Sequence, residues 1–434
     1  MGSESNNATG PTPAIAPGVE LLDPANVAAR WNNAAALTSL VPGFDAPFFQ
    51  AGLAGYSDAP MRIIARRHGC PCCVTEALLD RTLLSGGRGF AKADLGDIAE
   101  NVPGAEEDHP LVGQIMGSDP GEMAAAAVKM IEQGARTPRR YQDLARQPEA
   151  PPADAALVHA PDRTFAAIDV NLACPVKKIR SKARGGHWLR EPQGAIDILR
   201  AVRAALPDSI PTSVKLRRGS DDSAEAERNF FRIFDAAYDL GYSWTTVHGR
   251  TVEQKYVGPS RWTFLRDLVR RNPDRIIFGS GDVWRVQDIF LMIGYTGVAA
   301  VSVARGCIGN PWIFRQARQM LAGAAPTPPT ITEQRAVLRE HFALAVALSG
   351  EDLAGRTMRK FGIRFAQHHP WPESVRRRFI ACARTSEWEA VLDEFYDSLN
   401  AARFLLGPDP AGAQSEAPGE QWSCDPDPAA APTP

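Results

Sequence analysis

Short apolar runs alternate with helical segments eight times along this chain, and few folds accommodate that order. Apolar runs with turn residues at their ends predict strands, and the longer periodic segments between them predict helices. Because parallel strands need a crossover, usually a helix, the alternation indicates an α/β protein. The predicted strands are residues 44–51, 73–76, 111–116, 165–170, 212–216, 243–247, 275–278 and 297–303. The predicted helices are residues 58–68, 120–133, 192–206, 224–240, 260–271 and 284–293. Eight units over roughly 280 residues favour a (β/α)8 TIM barrel over an open sheet.

Composition sets the limits of this barrel. Residues 1–25 and 408–434 are rich in Ala, Pro, Gly and acidic residues without apolar periodicity, and we expect disordered tails there. The barrel is predicted over residues 40–325, and residues 137–163 form a surface insert because they follow a helix and precede a strand. Residues 330–407 have a helical pattern and predict a C-terminal all-helical domain.

Charge and cysteine content narrow the possible partners. Lys plus Arg number 48 against 50 Asp plus Glu, so any nucleic-acid contact must come from a local basic cluster. Seven cysteines without regular spacing indicate a reducing compartment. The amino terminus lacks a signal-peptide pattern, and no apolar run reaches transmembrane length. We therefore expect a cytoplasmic protein with no membrane partner. Cys70, Cys72 and Cys73 lack a second ligand pair, so we expect no metal.

The residues that follow the strands are the candidates for chemistry, because a barrel of this kind works at the carboxyl ends of its strands. Cys174 follows the strand 165–170 and precedes a proline, which makes it either a reactive thiol or a small buried hydrophobe. Lys215 lies within an apolar strand, where an ammonium needs an anionic partner or ligand. Gln114 and His248 also point to this end of the barrel. Each is weak evidence alone, since buried Gln and His are often structural.

The last two predicted strands end in glycine-containing loops. Ser280, Gly281 and Asp282 follow the seventh strand, and Ala304 and Arg305 follow the eighth. In many barrels these two loops hold a phosphate with backbone N–H groups, and an arginine can add a bidentate contact. The pattern therefore predicts a phosphorylated ligand across the end of the barrel, with its ring system over Lys215, Gln114 and Cys174.

The order of these motifs resembles the tRNA-dihydrouridine synthases, which reduce uridine in tRNA to 5,6-dihydrouridine. The resemblance runs from about residue 44 to about residue 400, apart from the 137–163 insert. The matching stretches are AGYSD at 54–58, VTE at 74–76, QIMG at 114–117, NLACP at 171–175, VHGRT at 247–251, GD at 281–282 and RGCIGNPWIF at 305–314. The Asn-x-x-Cys-Pro and His-Gly-Arg-Thr pieces together are highly specific.

The resemblance implies FMN as cofactor and NADPH as its reductant. The positions that would line the flavin are Gly52, Leu53, Ala54, Gln114, Lys215, His248, Ser280, Gly281, Asp282, Ala304 and Arg305. Three departures from the family pattern occur among them: Gly52-Leu53 replaces Pro-Met, Ser280 replaces Asn and Ala304 replaces Gly. Because backbone contacts tolerate small residues, we expect only a slightly altered flavin affinity.

The resemblance also implies a mechanism in which hydride reaches C6 of uracil and Cys174 gives a proton to C5. Asn171 would touch the base, and Arg250 would contact the substrate. Lys177 and Lys178 would favour the thiolate form of Cys174 if they faced it, so we predict that both meet tRNA phosphates instead. The base must leave its stack to be reached, so the rest of the tRNA needs a second surface.

The helical segment supplies basic residues for that surface. Only Glu373 opposes them between positions 356 and 384, and we assign tRNA contacts to Arg356, Arg359 and Lys360. A solvated helix face is the competing interpretation. We expect a monomer; the uridine that is reduced and the choice between NADPH and NADH stay open. Two other functions also stay open: an FMN barrel that reduces a small pyrimidine or an enone, and a non-catalytic RNA-binding protein.

Overall fold

Parallel strands close into a barrel in the computed structural model, which describes residues 13–18, 20–85, 106–132, 165–176, 185–397, 404 and 407–411. The nine described strands are β1 Phe48–Gln50, β2 Cys73–Val74, β3 Leu78–Leu79, β4 Leu111–Met116, β5 Ala167–Leu172, β6 Thr212–Arg217, β7 Trp244–His248, β8 Ile277–Ser280 and β9 Ala300–Val303. β1 pairs with β9, and β2 pairs with both β1 and β4, so every strand except β3 belongs to a closed ring of eight. β3 pairs with β4 alone. The predicted (β/α)8 barrel is confirmed, and all eight predicted strands are present.

Ten described helices surround the barrel, and six of them lie at the predicted places. They are α1 Pro24–Arg30, α2 Ala34–Leu40, α3 Ala59–Arg67, α4 Asp80–Ser85, α5 Pro120–Glu132, α6 Pro192–Ala205, α7 Ala224–Asp239, α8 Trp262–Arg271, α9 Val286–Thr296 and α10 Trp312–Leu321. Short 3-10 turns lie at Glu106–Asp108, Gly185–Arg190, Arg305–Cys307 and Ala366–His368. Side-chain caps set some of the starts: Asp58 accepts the N–H of Met61 at 3.0 Å, and Ser223 accepts the N–H of Ala226 at 3.1 Å.

An aromatic cluster fills the amino-terminal end of the barrel. Phe44, which precedes β1, packs edge-on against Phe49 and Phe278, with ring centroids 5.9 Å apart in both pairs. Leu37 of α2 and Trp244 belong to the same buried cluster. Because apolar side chains occupy this end, the interior opens at the carboxyl ends of the strands.

Four further helices follow the barrel, so the predicted helical C-terminal part is confirmed as secondary structure. They are α11 Ile331–Ser349, α12 Glu351–Phe365, α13 Pro372–Ala381 and α14 Thr385–Phe395. Their own core contains Trp388, whose ring centroid lies 5.0 Å from that of Phe342 and 4.6 Å from that of Phe379. An ion pair between Arg67 and Glu340 joins this helical part to α3 of the barrel.

Parts of the predicted tails can be compared with the structure. Ala14 forms a β-bridge with Arg261, the N–H of Ala16 donates to the Tyr295 hydroxyl at 3.0 Å, and α1 begins at Pro24. The 137–163 insert and residues 412–434 lie outside the described residues. Within the described part of the chain, no helix combines the length and apolar character that crossing a bilayer requires.

Candidate active site

A cavity of about 680 Å³ opens at the carboxyl ends of the strands. Every position predicted to line the flavin lies on its wall, as do Asn171 and Cys174. These positions come from seven strands or the loops after them, so barrel closure alone brings them together. Their individual roles stay predictions; the structure supplies the geometry in which they can act.

The end of β5 holds Cys174 in a fixed loop. The Asn171 side-chain oxygen accepts the backbone N–H groups of Ala173 at 2.9 Å and Cys174 at 3.1 Å, and the Cys174 carbonyl accepts the N–H of Gly186 at 2.9 Å. A Cβ at Gly185, whose φ is +46°, would lie 3.0 Å from the Cys174 Cβ, so a larger residue would press on the cysteine. Cys174 is half-buried, whereas the other five described cysteines are buried. Of these thiols, Cys174 is therefore the one best placed to meet a substrate.

Lys215 brings an ammonium group to the cavity wall. Burial, with a smaller effect of the nearby Arg217, lowers the Lys215 pKa to about 8, although Asp169 and Cys174 act in the opposite direction. Among the described residues, none forms a hydrogen bond or an ion pair with its ammonium. This cation is thus available to an electron-rich ligand in the cavity.

His248 lines the same cavity as a neutral imidazole. Burial lowers its pKa well below the usual value, and the surrounding cations Arg217, Lys215, Arg250 and Arg305 add to this effect. Its Nδ1 accepts the backbone N–H of Arg250 at 3.1 Å, so Nε2 carries the proton. His248 can therefore donate one hydrogen bond to a ligand.

The loops after β8 and β9 form one end of the cavity wall. Gly281 has a φ of +111°, and a Cβ there would lie 2.4 Å from the Ser260 Oγ, so only glycine fits without a shift. The Arg305 guanidinium lies between the Tyr256 and Trp284 rings, 4.8 Å and 4.5 Å from their centroids. Packed arginine and tight backbone turns at one end, with Gln114 and Lys215 at the other, fit a flavin nucleotide with a phosphate tail.

Comparison with known proteins identifies the family. The family model described as "Dihydrouridine synthase (Dus)" matches residues 130–400. The chain belongs to this family. As a member it is an oxidoreductase, and the resemblance drawn from its motifs is confirmed. A probable tRNA-dihydrouridine synthase of Mycobacterium tuberculosis is 32% identical over 288 residues, which cover 62% of this chain and 72% of the relative. The tRNA-dihydrouridine synthase B of Shewanella oneidensis is 29% identical over 357 residues, covering 80% of this chain and 95% of the relative.

Among solved structures, morphinone reductase matches with a TM-score of 0.39 and 12% identity, over 67% of this chain and 89% of that one. At that TM-score the likeness says nothing about function.

Arg250 is placed differently from our prediction for this dihydrouridine synthase family member. Its side chain is fully buried and donates from Nη2 to both carboxylate oxygens of Asp282, at 2.7 Å and 2.8 Å. Its Nε also donates to the Gly258 carbonyl at 2.9 Å. The predicted substrate contact of Arg250 is therefore wrong: a fully buried guanidinium that binds Asp282 supports the loop after β8 and does not face tRNA.

Lys360 also has an internal role. Its ammonium donates to the Gly55 carbonyl and lies 4.8 Å from the centroid of the Tyr56 ring. Burial lowers the Lys360 pKa, while Asp58 and Glu76 raise it. This lysine therefore joins α12 to the loop after β1, and because it is half-buried its predicted tRNA contact stays a prediction.

Two of the other predicted tRNA contacts, Arg356 and Arg359, lie in the described part of the chain. Arg356 is exposed and Arg359 is half-buried, both on α12. Lys177 and Lys178 lie outside the described residues, so their predicted phosphate contacts stay predictions. Part of the basic segment is neutralised by ion pairs. Glu373 lies 3.3 Å from Arg376 and 3.2 Å from Arg377, and Glu394 lies 2.9 Å from Arg378.

Two features of the cavity were not recognised in the sequence. Asp169 is almost fully buried below the cavity and bonds to Gln114 and Ser213. An acidic residue inside an apolar strand was the available signal. The second feature is the requirement for glycine at position 52, which the motif comparison could not show. A Cβ there would lie 2.2 Å from the Thr75 carbonyl oxygen. The proline usual in the family would not fit this position without a shift of the strand β2 region.

Proposed function

We propose that this protein reduces the C5–C6 bond of a particular uridine in tRNA, with FMN as cofactor and NADPH as reductant. The observation that supports the proposal is that the Cys174 thiol, the Lys215 ammonium and the loops with Gly281 and Arg305 line one and the same cavity. Family membership makes reduction of a tRNA uridine the chemistry to test in this cavity.

Two groups of residues, at opposite ends of the cavity, would bind the two ends of FMN. Backbone groups near Gly281 and Ala304, with Arg305, would hold the phosphate. Gln114, Lys215 and His248 would hold the polar edge of the ring. Of these, Lys215 supplies a charge and His248 supplies one donor at Nε2. When bound, FMN supplies the hydride that is added to C6 of uracil, after NADPH has reduced the flavin.

Cys174 would supply the proton. Its thiol gives a proton to C5 of the base, and a positioned acid typically contributes about 10² to 10⁴ in rate. Asn171 keeps the thiol in place by accepting the N–H of Cys174 at 3.1 Å. The thiol must be protonated to act, so a measured Cys174 pKa below about 6, against an ordinary value of roughly 8.5, would contradict this role.

The tRNA must present the base in an everted state. A cavity of about 680 Å³ has the size of a small-molecule site, so it accepts a flavin and one base but not a folded tRNA. Exposed Arg356 and half-buried Arg359 on α12 would bind phosphates next to the barrel. Affinity for tRNA should therefore fall with rising salt.

We also propose that the protein works as a monomer in the cytoplasm. The described cysteines are free thiols, which supports a reducing compartment. Light scattering on the purified protein, with and without tRNA, tests the monomer.

The decisive test is dihydrouridine formation in tRNA by purified protein with FMN and NADPH. Wild-type protein should form dihydrouridine at one position, and C174A should lose about 10² to 10⁴ in rate. Reduction of free uracil or a simple enone at a similar rate would favour a small-molecule reductase. Protein that stays colourless with added FMN would favour a non-catalytic RNA-binding protein.

A further inference from the structure

Four polar side chains form a continuous hydrogen-bonded chain that runs from below the cavity to its wall. Ser213 Oγ donates to Asp169 Oδ1 at 2.6 Å, Gln114 Nε2 donates to Asp169 Oδ2 at 2.7 Å, and Asn171 Nδ2 donates to Gln114 Oε1 at 2.8 Å. Strand register accounts for this row, because Gln114 of β4 lies opposite Asp169 of β5, which lies opposite Ser213 of β6. We name these four residues the Asp169 relay.

The relay ends on the backbone of the predicted proton donor. Asn171 Oδ1 accepts the N–H groups of Ala173 at 2.9 Å and Cys174 at 3.1 Å. The two backbone N–H groups can only be accepted by the side-chain oxygen of Asn171. The side-chain nitrogen Nδ2 of Asn171 must therefore face Gln114. Gln114 must then present Oε1 to Asn171 and Nε2 to Asp169. Each amide in the relay therefore has one permitted orientation.

We propose that Asp169 is a positioning residue whose carboxylate can accept from Gln114 only at Nε2 and so reinforces the orientation of Gln114 and Asn171 that holds the Cys174 loop. Asp169 is 4% exposed and Gln114 is 2% exposed, so water has little access to replace a lost partner. Burial raises the Asp169 pKa, while the bonds from Ser213 and Gln114 lower it. Its role rests on the proposed function, in which Cys174 gives the proton.

The substitution N171D tests the direction of the relay. A carboxylate at position 171 can still accept the N–H groups of Ala173 and Cys174, but it opposes Gln114 Oε1. If Gln114 turns over, its Oε1 then opposes the carboxylate of Asp169. Either arrangement places two acceptors face to face, so N171D should loosen the Cys174 loop.

The double substitution D169N/N171D should restore a consistent relay in the opposite direction. The new amide at position 169 accepts from Ser213 and donates to Gln114 Oε1, and Gln114 Nε2 donates to the new carboxylate at position 171. D169N alone should have little effect, because its oxygen can accept from Gln114 and its nitrogen can donate to the Ser213 hydroxyl. The relay thus predicts that D169N suppresses the defect of N171D.

The experiment compares wild type, D169N, N171D and D169N/N171D by two measurements. One is the rate of Cys174 alkylation by iodoacetamide, followed on the Cys174 peptide by mass spectrometry. The other is the midpoint of thermal unfolding. N171D should raise the alkylation rate about tenfold and lower the midpoint, as expected when a buried hydrogen bond is lost and a loop opens. D169N/N171D should return to within about twofold of D169N.

The substitution D208N serves as the matched control. Asp208 is fully exposed and lies 3.3 Å from Arg203, so D208N removes the same charge away from the relay. N171D/D208N should keep the full defect of N171D. Suppression by D208N would mean that net charge, and not the relay, is responsible.

Alkylation of D169N/N171D as fast as that of N171D, or faster, would overturn the relay. If N171D does not fold, a folded D169N/N171D is the same suppression, and an unfolded one overturns the proposal. Both measurements need neither flavin nor tRNA. A wild-type protein that forms no dihydrouridine would therefore refute the proposed function without deciding the relay. Failure of D169N to suppress N171D would refute the relay without deciding the proposed function.

Discussion

Replacing Arg250 by methionine should destabilise the protein by removing a buried charge partner. Both side chains of the Arg250–Asp282 pair are fully buried, and the guanidinium contacts both carboxylate oxygens within 2.8 Å. Without it, Asp282 keeps the Ser260 N–H at 2.6 Å and the more distant Arg305 at 3.7 Å. The carboxylate of Asp282 would then be buried and only partly compensated.

The size of the effect follows from that loss. Breaking a buried ion pair by removing one partner costs about 3–5 kcal/mol, because the remaining charge stays buried. We therefore expect R250M to lower the free energy of unfolding by about 3–5 kcal/mol, measured by urea unfolding of flavin-free protein. FMN affinity should fall as well, since Asp282 and the adjoining Gly281 lie on the cavity wall.

The substitution R356M is the control, because Arg356 is an exposed arginine of α12. It should change the free energy of unfolding by less than about 0.5 kcal/mol, as surface substitutions usually do. It should weaken tRNA binding and reduce the salt dependence of binding by about one counterion. R250M with unchanged stability and weakened tRNA binding would refute this reasoning and restore Arg250 as a substrate contact.

Three further predictions concern the cavity wall. FMN affinity should fall as pH rises through about 8, because the Lys215 ammonium is charged below its pKa of about 8 and neutral above it; fluorescence titration of K215M should show weaker binding without this pH dependence. G52A should destabilise the protein by about 1–3 kcal/mol in urea unfolding, as overpacking does, since its Cβ would lie 2.2 Å from the Thr75 carbonyl oxygen; an unchanged midpoint would contradict the close approach. K360M should weaken FMN binding, because the loop after β1 loses the donor to the Gly55 carbonyl, and K360R should retain more of the FMN affinity. A loss confined to tRNA binding would contradict the internal role of Lys360.

The barrel could be predicted from the sequence because buried parallel strands read as apolar runs between helical patterns. The strand β3, Leu78–Leu79, was missed because two residues are too few to form a pattern. The aromatic cluster around Phe44 was missed because it depends on tertiary packing of Leu37, Phe44 and Phe278.

The candidate site was predictable as a set of positions, since closure brings the strand ends together. The partners of individual charges were not predictable, because sequence shows a cation without its anion. Arg250 was assigned to the substrate and instead binds Asp282, which follows the neighbouring strand β8. Lys360 also donates to the carbonyl of Gly55, which lies 305 positions away in sequence, and no pattern in the sequence indicates that bond. Asp169 was overlooked because its partners belong to neighbouring strands.

Mapping of dihydrouridine in a defined tRNA tests the proposed function most directly. Unmodified tRNA is incubated with FMN, NADPH and either wild-type protein or C174A, and the product is located by mass spectrometry of nuclease fragments. We predict one modified position with wild-type protein and a rate lower by about 10² to 10⁴ with C174A. Equal rates for the two proteins, or no dihydrouridine from flavin-loaded wild-type protein, would contradict Cys174 as the acid in a tRNA-reducing site.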